Sequence, residues 1–194
     1  MFNFNNIQLL VEGQLKYVGD GRTISHSNVV LVKDEKNLII DTGFVGDNVK
    51  IIKALKKQGL TPEDIDYVII THKHLDHTLN AYLFQNAEIY AENWWFNMRD
   101  GVTREADSSD IKKIPPFMKL IKTPGHTQKH RSVLFKTDRG NVVITGDAIP
   151  SENFIDIKKT PREYWDLAQF NNSREHILEI ADWIIPGHGK MIKI

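Results

Sequence analysis

The densest chemistry in the chain is the run Thr71-His72-Lys73-His74-Leu75-Asp76-His77, which directly follows the apolar stretch Val68-Ile69-Ile70. Imidazole nitrogens and carboxylate oxygens are donors that zinc and other first-row metals accept. In an extended or turning segment, His72, His74 and Asp76 can point to one side while His77 turns in beside them. Two metals need more donors than this run supplies, so the rest are expected from other strand ends. Three places offer them, each with a glycine that lets the backbone turn sharply. They are Pro124-Gly125-His126-Thr127, Thr145-Gly146-Asp147 and Pro186-Gly187-His188-Gly189. Any one of these histidines alone reads most simply as a hydrogen-bonded structural residue. The spacing of the run, with three further Gly-flanked donors in order, favours a metal centre. His26, His130 and His176 fit no ligand motif and are expected to be structural or exposed, with His130 nearest the site.

The elements that must position these donors can be read from periodicity. Residues 7–12, 24–32 and 38–40 are rich in β-branched side chains and predict strands. The apolar period then changes, predicting a helix over 47–58 with Asp47 as its cap and Gly59 as its stop. Residues 67–71 read as a buried strand. A second strand group is expected at 89–91, 118–122, 132–136 and 142–145, with a hairpin turn at Asp138-Arg139-Gly140-Asn141. Thr160-Pro161-Arg162-Glu163 has the form of a capping box with Pro at the first helical position, so a helix is predicted to start there. A further helix is expected near 174–181, and short strands at 183–185 and 191–194. This order predicts an α/β fold of two sheets with helices outside, and a single domain over residues 1–194.

Composition narrows the function. The chain has 194 residues, with 25 Lys+Arg against 25 Asp+Glu and a formal net charge of zero. Its hydrophobic fraction of 41% is that of a globular protein and excludes a disordered chain. The zero balance excludes a generic polyanion binder, which needs a global positive field. There is no cysteine, so disulfides, thiolate metal sites and cysteine nucleophiles are ruled out. The N-terminus lacks a basic region followed by an apolar one, so no secretory signal is expected. No apolar run approaches the roughly 18 residues of a membrane span, so a cytoplasmic location without membrane association is expected. One stretch departs from neutrality: residues 111–137 carry Lys112, Lys113, Lys119, Lys122, Lys129, Arg131 and Lys136 and no acid. It surrounds His126 and could draw an anionic substrate, Lys129 and Arg131 being best placed, or it could be a solvated face. Trp94 and Trp95, read on a helix, cannot both lie in the core easily, and one of them could border the site. Residues 97–110 are polar and read as a mobile loop.

Together the motifs resemble those of the metallo-β-lactamase-fold superfamily, from Asp41-Thr42-Gly43 through the histidine run to Pro186-Gly187-His188-Gly189. The compact length and motif phrasing resemble the small single-domain subgroup called metallo-β-lactamase-domain-containing protein 1. The resemblance implies a four-layer αββα sandwich of two mixed β-sheets flanked by helices, with the site at the sheet edge. It implies that His72, His74 and His126 hold one divalent metal, that Asp76, His77 and His188 hold a second, and that Asp147 bridges them. Zinc is the expected metal, with iron or manganese as alternatives. Asp41 resembles the family aspartate that orients ligands by hydrogen bonding. The implied chemistry is hydrolysis by a shared hydroxide, with Asp76 both ligand and catalytic proton shuttle.

Departures from relatives are informative. Without cysteine, the lactamase subclasses with a cysteine ligand are excluded. His74 stands where flavodiiron relatives carry glutamate, which disfavours an iron redox site. The appended helical domain of glutathione-thioester hydrolases and the inserted domain of RNA-processing nucleases are both expected to be absent. The leading expectation is a hydrolase of a small-molecule ester, thioester or lactone. The alternative is a nuclease or phosphodiesterase acting on nucleic acid, and the third reading is a non-catalytic metal-binding module.

Overall fold

The computed structural model describes residues 2–106 and 117–194. Strand β1 (Ile7–Val11) leads into a separate hairpin, β2 (Gln14–Tyr17) and β3 (Thr23–His26), and the chain returns as β4 (Val29–Val32) beside β1. Next come β5 (Leu38–Ile40), β6 (Tyr67–Ile70), β7 (Glu88–Ala91), β8 (Trp94–Asn97) and β9 (Thr103–Glu105). Among the described residues the first sheet runs β1-β4-β5-β6-β7-β8-β9, parallel only across β5-β6-β7. The second sheet holds β10 (Met118–Lys122), β11 (Arg131–Thr137), β12 (Gly140–Gly146), β13 (Trp183–Pro186) and β14 (Ile192–Lys193) in sequence order, parallel only across β12-β13.

Successive side chains of a strand face opposite ways, and here both faces are buried. Val30, Val32, Ile40 and Ile69 meet Val133, Phe135, Val142 and Ile144 of the other sheet, forming the central core. Leu31, Ile39 and Val68 turn outward, against Ile51 and Leu55 of helix α1 (Asn48–Lys57). On the far side, Leu134, Val143 and Ile184 pack on Ile177 of a 14-residue helix at Leu167–Ile180. The layers are therefore helix, sheet, sheet, helix, as the sequence predicts. Each buried Val, Leu or Ile stabilises the sandwich by roughly 1.5–3 kcal/mol, so Leu55→Ala would cost about 2–5 kcal/mol. The C-terminal ends of the parallel pairs β5, β6 and β12, β13 converge on one edge, the usual place for a ligand in such sheets.

Several sequence expectations are revised. The strand over 24–32 is broken, because the Ser27 and Asn28 N–H groups donate to Asp76 and Gly187 carbonyls at 3.3 and 2.7 Å. No helix starts at Thr160. The N–H groups of Trp165 and Asp166 donate instead to the Gly125 carbonyl at 2.8 and 3.0 Å. The helix begins at Leu167 with the Asp166 carboxylate accepting from Gln169 N–H, so the two predicted helices are one. Asp47 does precede α1, yet its carboxylate serves Phe44 N–H, Lys50 Nζ and His26 Nδ1 rather than the backbone N–H groups of the helix. The Trp94-Trp95 pair lies in β8, where alternation buries Trp95, bonded to Glu88, and leaves Trp94 exposed. The polar segment at 97–110 carries β9 at Thr103–Glu105; its last residues, 107–110, and Lys112 and Lys113 of the basic stretch lie outside the described residues.

Candidate metal centre

The centre begins with Asp41, which leaves β5 with φ 55°. Its two carboxylate oxygens accept the Thr71 N–H and the Thr71 hydroxyl, each at 2.8 Å. That fixes the chain as it leaves β6. The Thr71 hydroxyl has one proton and gives it to Asp41, so His72 Nδ1–H donates to Thr71 Oγ1 at 3.1 Å. A short helix, α2 (Leu75–Thr78), then turns His77 inward, and its Nδ1–H donates to Asp41 Oδ2 at 2.7 Å. His188, after β13, donates Nδ1–H to the His26 carbonyl at 2.7 Å. His126, after β10, donates to the Glu163 carbonyl at 3.1 Å. Four imidazoles are thus gripped by Nδ1 and present Nε2 inward, an arrangement suited to metal ligation.

Two glycines are required by close approach. A Cβ on Gly187 would lie 1.9 Å from Asp147 Oδ1. A Cβ on Gly125, which adopts φ 131°, would strike the Phe170 backbone at 2.2 Å. Their absence lets the His126 loop, the Asp147 turn and the His188 loop crowd together.

The donors meet at the sheet edge. Asp147 Oδ1 lies 3.2 Å from His188 Nε2 and 3.4 Å from His77 Nε2, and Oδ2 lies 3.4 Å from His126 Nε2. Asp76 Oδ2 is 3.8 Å from Nε2 of both His77 and His188. His74 differs in presenting Nδ1, 2.9 Å from His126 Nε2. Within each of three triads, His72/His74/His126, His72/His77/Asp147 and Asp76/His77/His188, the donor atoms lie within 4.8 Å of one another. His72 Nε2, His77 Nε2, His188 Nε2 and Asp147 Oδ1 are buried without a hydrogen-bond partner. Unpaired buried polar atoms are costly, and four facing one another are what a cation would satisfy. This nitrogen and carboxylate set fits divalent first-row ions.

The electrostatics agree. Burial opposes charge on His77, but Asp41 and Asp147 outweigh it and hold the imidazole well above its usual value. Burial likewise opposes charge on His188, and Asp147 raises it. Burial disfavours the Asp147 carboxylate, yet His188 and His77 hold it well below the usual range. Burial pushes His72 well down, aided by His77, and also lowers His126.

All seven residues singled out from the sequence are therefore brought together. His130 also borders them. It is fully buried, bonds Thr123 Oγ1 through Nδ1 at 2.9 Å, and lies 5.0 Å from the His72 ring. Burial pushes its imidazole well down. Sequence reasoning misses Ser25, whose hydroxyl donates to Asp76 Oδ2 from 51 residues away, because no local pattern marks it. A cleft of about 400 Å³ opens over His74, Asp76, His126 and Asp147, walled by the β2–β3 hairpin, Leu75, Pro150 and residues 161–163. The basic stretch does not line this cleft among the described residues. Arg131 bonds Asn93 Oδ1 at 2.9 Å, and Lys119, Lys122, Lys129 and Lys136 are exposed elsewhere. Arg162 is instead the cleft's cation among the described residues.

Fold and centre together define a class: the chain belongs to the metallo-β-lactamase superfamily of hydrolases. The superfamily's sequence profile matches residues 22–92. Metallo-beta-lactamase domain-containing protein 1 of Xenopus laevis is 32% identical to this chain, over 98% of it and 82% of the frog protein. A putative metallo-β-lactamase from Thermotoga maritima has a similar structure, with TM-score 0.72, 25% identity and coverage of 97% and 99% of the two chains. An N-acyl homoserine lactone hydrolase, solved with N-hexanoyl-L-homoserine at its catalytic metal centre, shares the fold, with TM-score 0.68, 19% identity and coverage of 94% and 92%. No helix among the described residues is long and apolar enough to cross a membrane.

Proposed function

We propose that this chain is a dinuclear, zinc-dependent hydrolase of a small ester, thioester or lactone. The observation that carries this is the set of unpartnered Nε2 and Oδ1 atoms beneath a small cleft. His72, His74 and His126 would hold one ion, Asp76, His77 and His188 the other, with Asp147 between them. When bound, such ions supply Lewis acidity and lower the pKa of water from about 15.7 to near 7. The chain's own residues do the rest. The gripped imidazoles fix the donor positions. Asp76 lines the cleft and is steadied by the Ser25 hydroxyl, so it is placed to carry a proton to the departing alcohol or thiol. Water and ester then become acid and alcohol, with the proton passed through Asp76 Oδ1 or Oδ2.

A cleft of about 400 Å³ suits a small ligand. The lactone hydrolase among the similar structures supports the acyl class. Polynucleotide cleavage is less well supported, because the described basic residues of 117–137 lie off the cleft. The test couples metal analysis of purified protein to a panel of a thioester, a lactone, a bis-phosphodiester and single-stranded RNA. Bound zinc with lactone, ester or thioester turnover is expected. Activity on RNA alone would replace the acyl reading, and bound metal without any turnover would favour a binding module.

A further inference from the structure

Arg162 and Tyr17 come from opposite walls of the cleft and meet across it. The guanidinium carbon lies 4.1 Å from the centre of the Tyr17 ring. Tyr17 ends β2, in the hairpin whose Ser25 bonds Asp76. Arg162 is one residue from Glu163, whose carbonyl holds His126, and four from Asp166, tied to Gly125. Both walls are therefore anchored to the donor cluster itself. Arg162 is exposed and makes no ion pair with a carboxylate among the described residues. Glu163 lines the same cleft without pairing with it. Stacking on an aromatic face uses the plane of a guanidinium and leaves its edge of N–H donors free. A free edge of that geometry matches the two oxygens of a carboxylate or phosphate.

We propose that the Arg162–Tyr17 pair is an oxyanion-recognising subsite, so that the substrate carries a carboxylate or phosphate group on the arm away from its scissile bond. The assignment rests on the hydrolase reading for its scissile bond, but not for its anion. It also moves any preference for anions from the basic stretch around His126 to the loop before Asp166. Arg162 is a specificity residue that touches the remote end of the substrate. Leu15 and Pro161 line the cleft and provide apolar contact for the atoms between.

Matched chromogenic esters test this: 4-nitrophenyl butanoate against 4-nitrophenyl hemisuccinate, with a phosphonate-terminated ester as a third arm. For the unaltered protein, KM for a charged ester is expected to be about tenfold below that of the neutral one, the worth of one charge-assisted contact at a partly solvated site. In Arg162→Gln the ratio falls to near one, and Arg162→Lys, which keeps charge but loses the fork, lies between. Comparing the carboxylate with the phosphonate arm decides which oxyanion is preferred. Calorimetric titration of glutarate against acetate gives a readout independent of turnover. Tighter glutarate binding, lost in Arg162→Gln, is expected with or without chelation of metal. An unchanged charged-to-neutral ratio in Arg162→Gln overturns the subsite while leaving the hydrolase intact. An Arg162-dependent glutarate preference in a protein that turns over no ester, thioester or lactone upholds the subsite and removes the hydrolase.

Discussion

His72 and His77 leave the same loop as His74 and Asp76, yet the first pair is fully buried and the second only partly buried. This difference in burial splits the cluster into a floor and a rim. On the floor, His72, His77, His126 and His188 are each held from behind by a group that is not itself a donor. On the rim, the His74 Nδ1 contact is to its fellow donor His126, and among the described residues the Asp76 carboxylate is held only by the Ser25 hydroxyl and its distant imidazole neighbours. Pre-organisation is therefore unequal. The floor is built to hold charge, and the rim is left open to what enters the cleft.

Asp76 is the rim residue whose loss should cost most. Asp76→Ala is expected to lower kcat by about 10²–10⁴ while the protein stays folded, as read by circular dichroism beside steady-state kinetics. A variant with full activity removes Asp76 from the mechanism. On the floor, Asp41→Ala should act differently. It strips the partners from Thr71 N–H, the Thr71 hydroxyl and His77 Nδ1. The expected losses are about 10–100-fold in metal affinity and about 2–4 kcal/mol in stability, read by chelator competition and urea unfolding. If Asp41→Ala changes kcat but neither of these, the floor is not the holding part.

Protons give a third test. In the metal-free protein the carboxylates beside His77 and His188 outweigh burial and raise both imidazoles, which favours their protonated forms. Their stabilising contribution is complete below the free-imidazole value of about 6.5 and is lost as pH rises through the raised values. His72 and His130 are lowered, so theirs is present above about 6.5 and lost as pH falls through it. Zinc uptake at pH 7 should therefore release protons from the floor, and calorimetry in two buffers of different ionisation enthalpy reads their number. Uptake without release contradicts the charge assignment. Ser25→Ala, a rim change, is expected to cost about tenfold or less in kcat with no change in metal content. The smallest effect is expected from Lys129→Gln, which lies off the cleft and should leave KM for a charged ester within about twofold.

The floor was legible from local sequence. His126, Asp147 and His188 follow strands beside glycines, and His72 and His77 belong to the dense run after β6. The rim was half legible: His74 and Asp76 share the run, whereas Ser25 and Arg162 reach the cleft only through contacts between distant segments. The same distinction explains the misplaced helix start. Thr160-Pro161-Arg162-Glu163 has the local chemistry of a cap, but the Gly125 and His126 loop claims the backbone that follows it. Long-range hydrogen bonds overrode a correct local preference. Likewise, the break between β3 and β4 is set by Asp76 and Gly187, which no window around Ser27 contains.

The β2–β3 hairpin stands apart from both sheets, and two-stranded ribbons are marginal on their own. Its pairing runs from Gln14↔His26 to Tyr17↔Thr23, with the turn at the free end. Lengthening it by whole residue pairs would preserve which side chains face the cleft, because the strand period is two. Such insertions would remodel one wall without moving any floor donor. The ribbon is thus a place where descendants of this chain can change what they accept while inheriting the same chemistry.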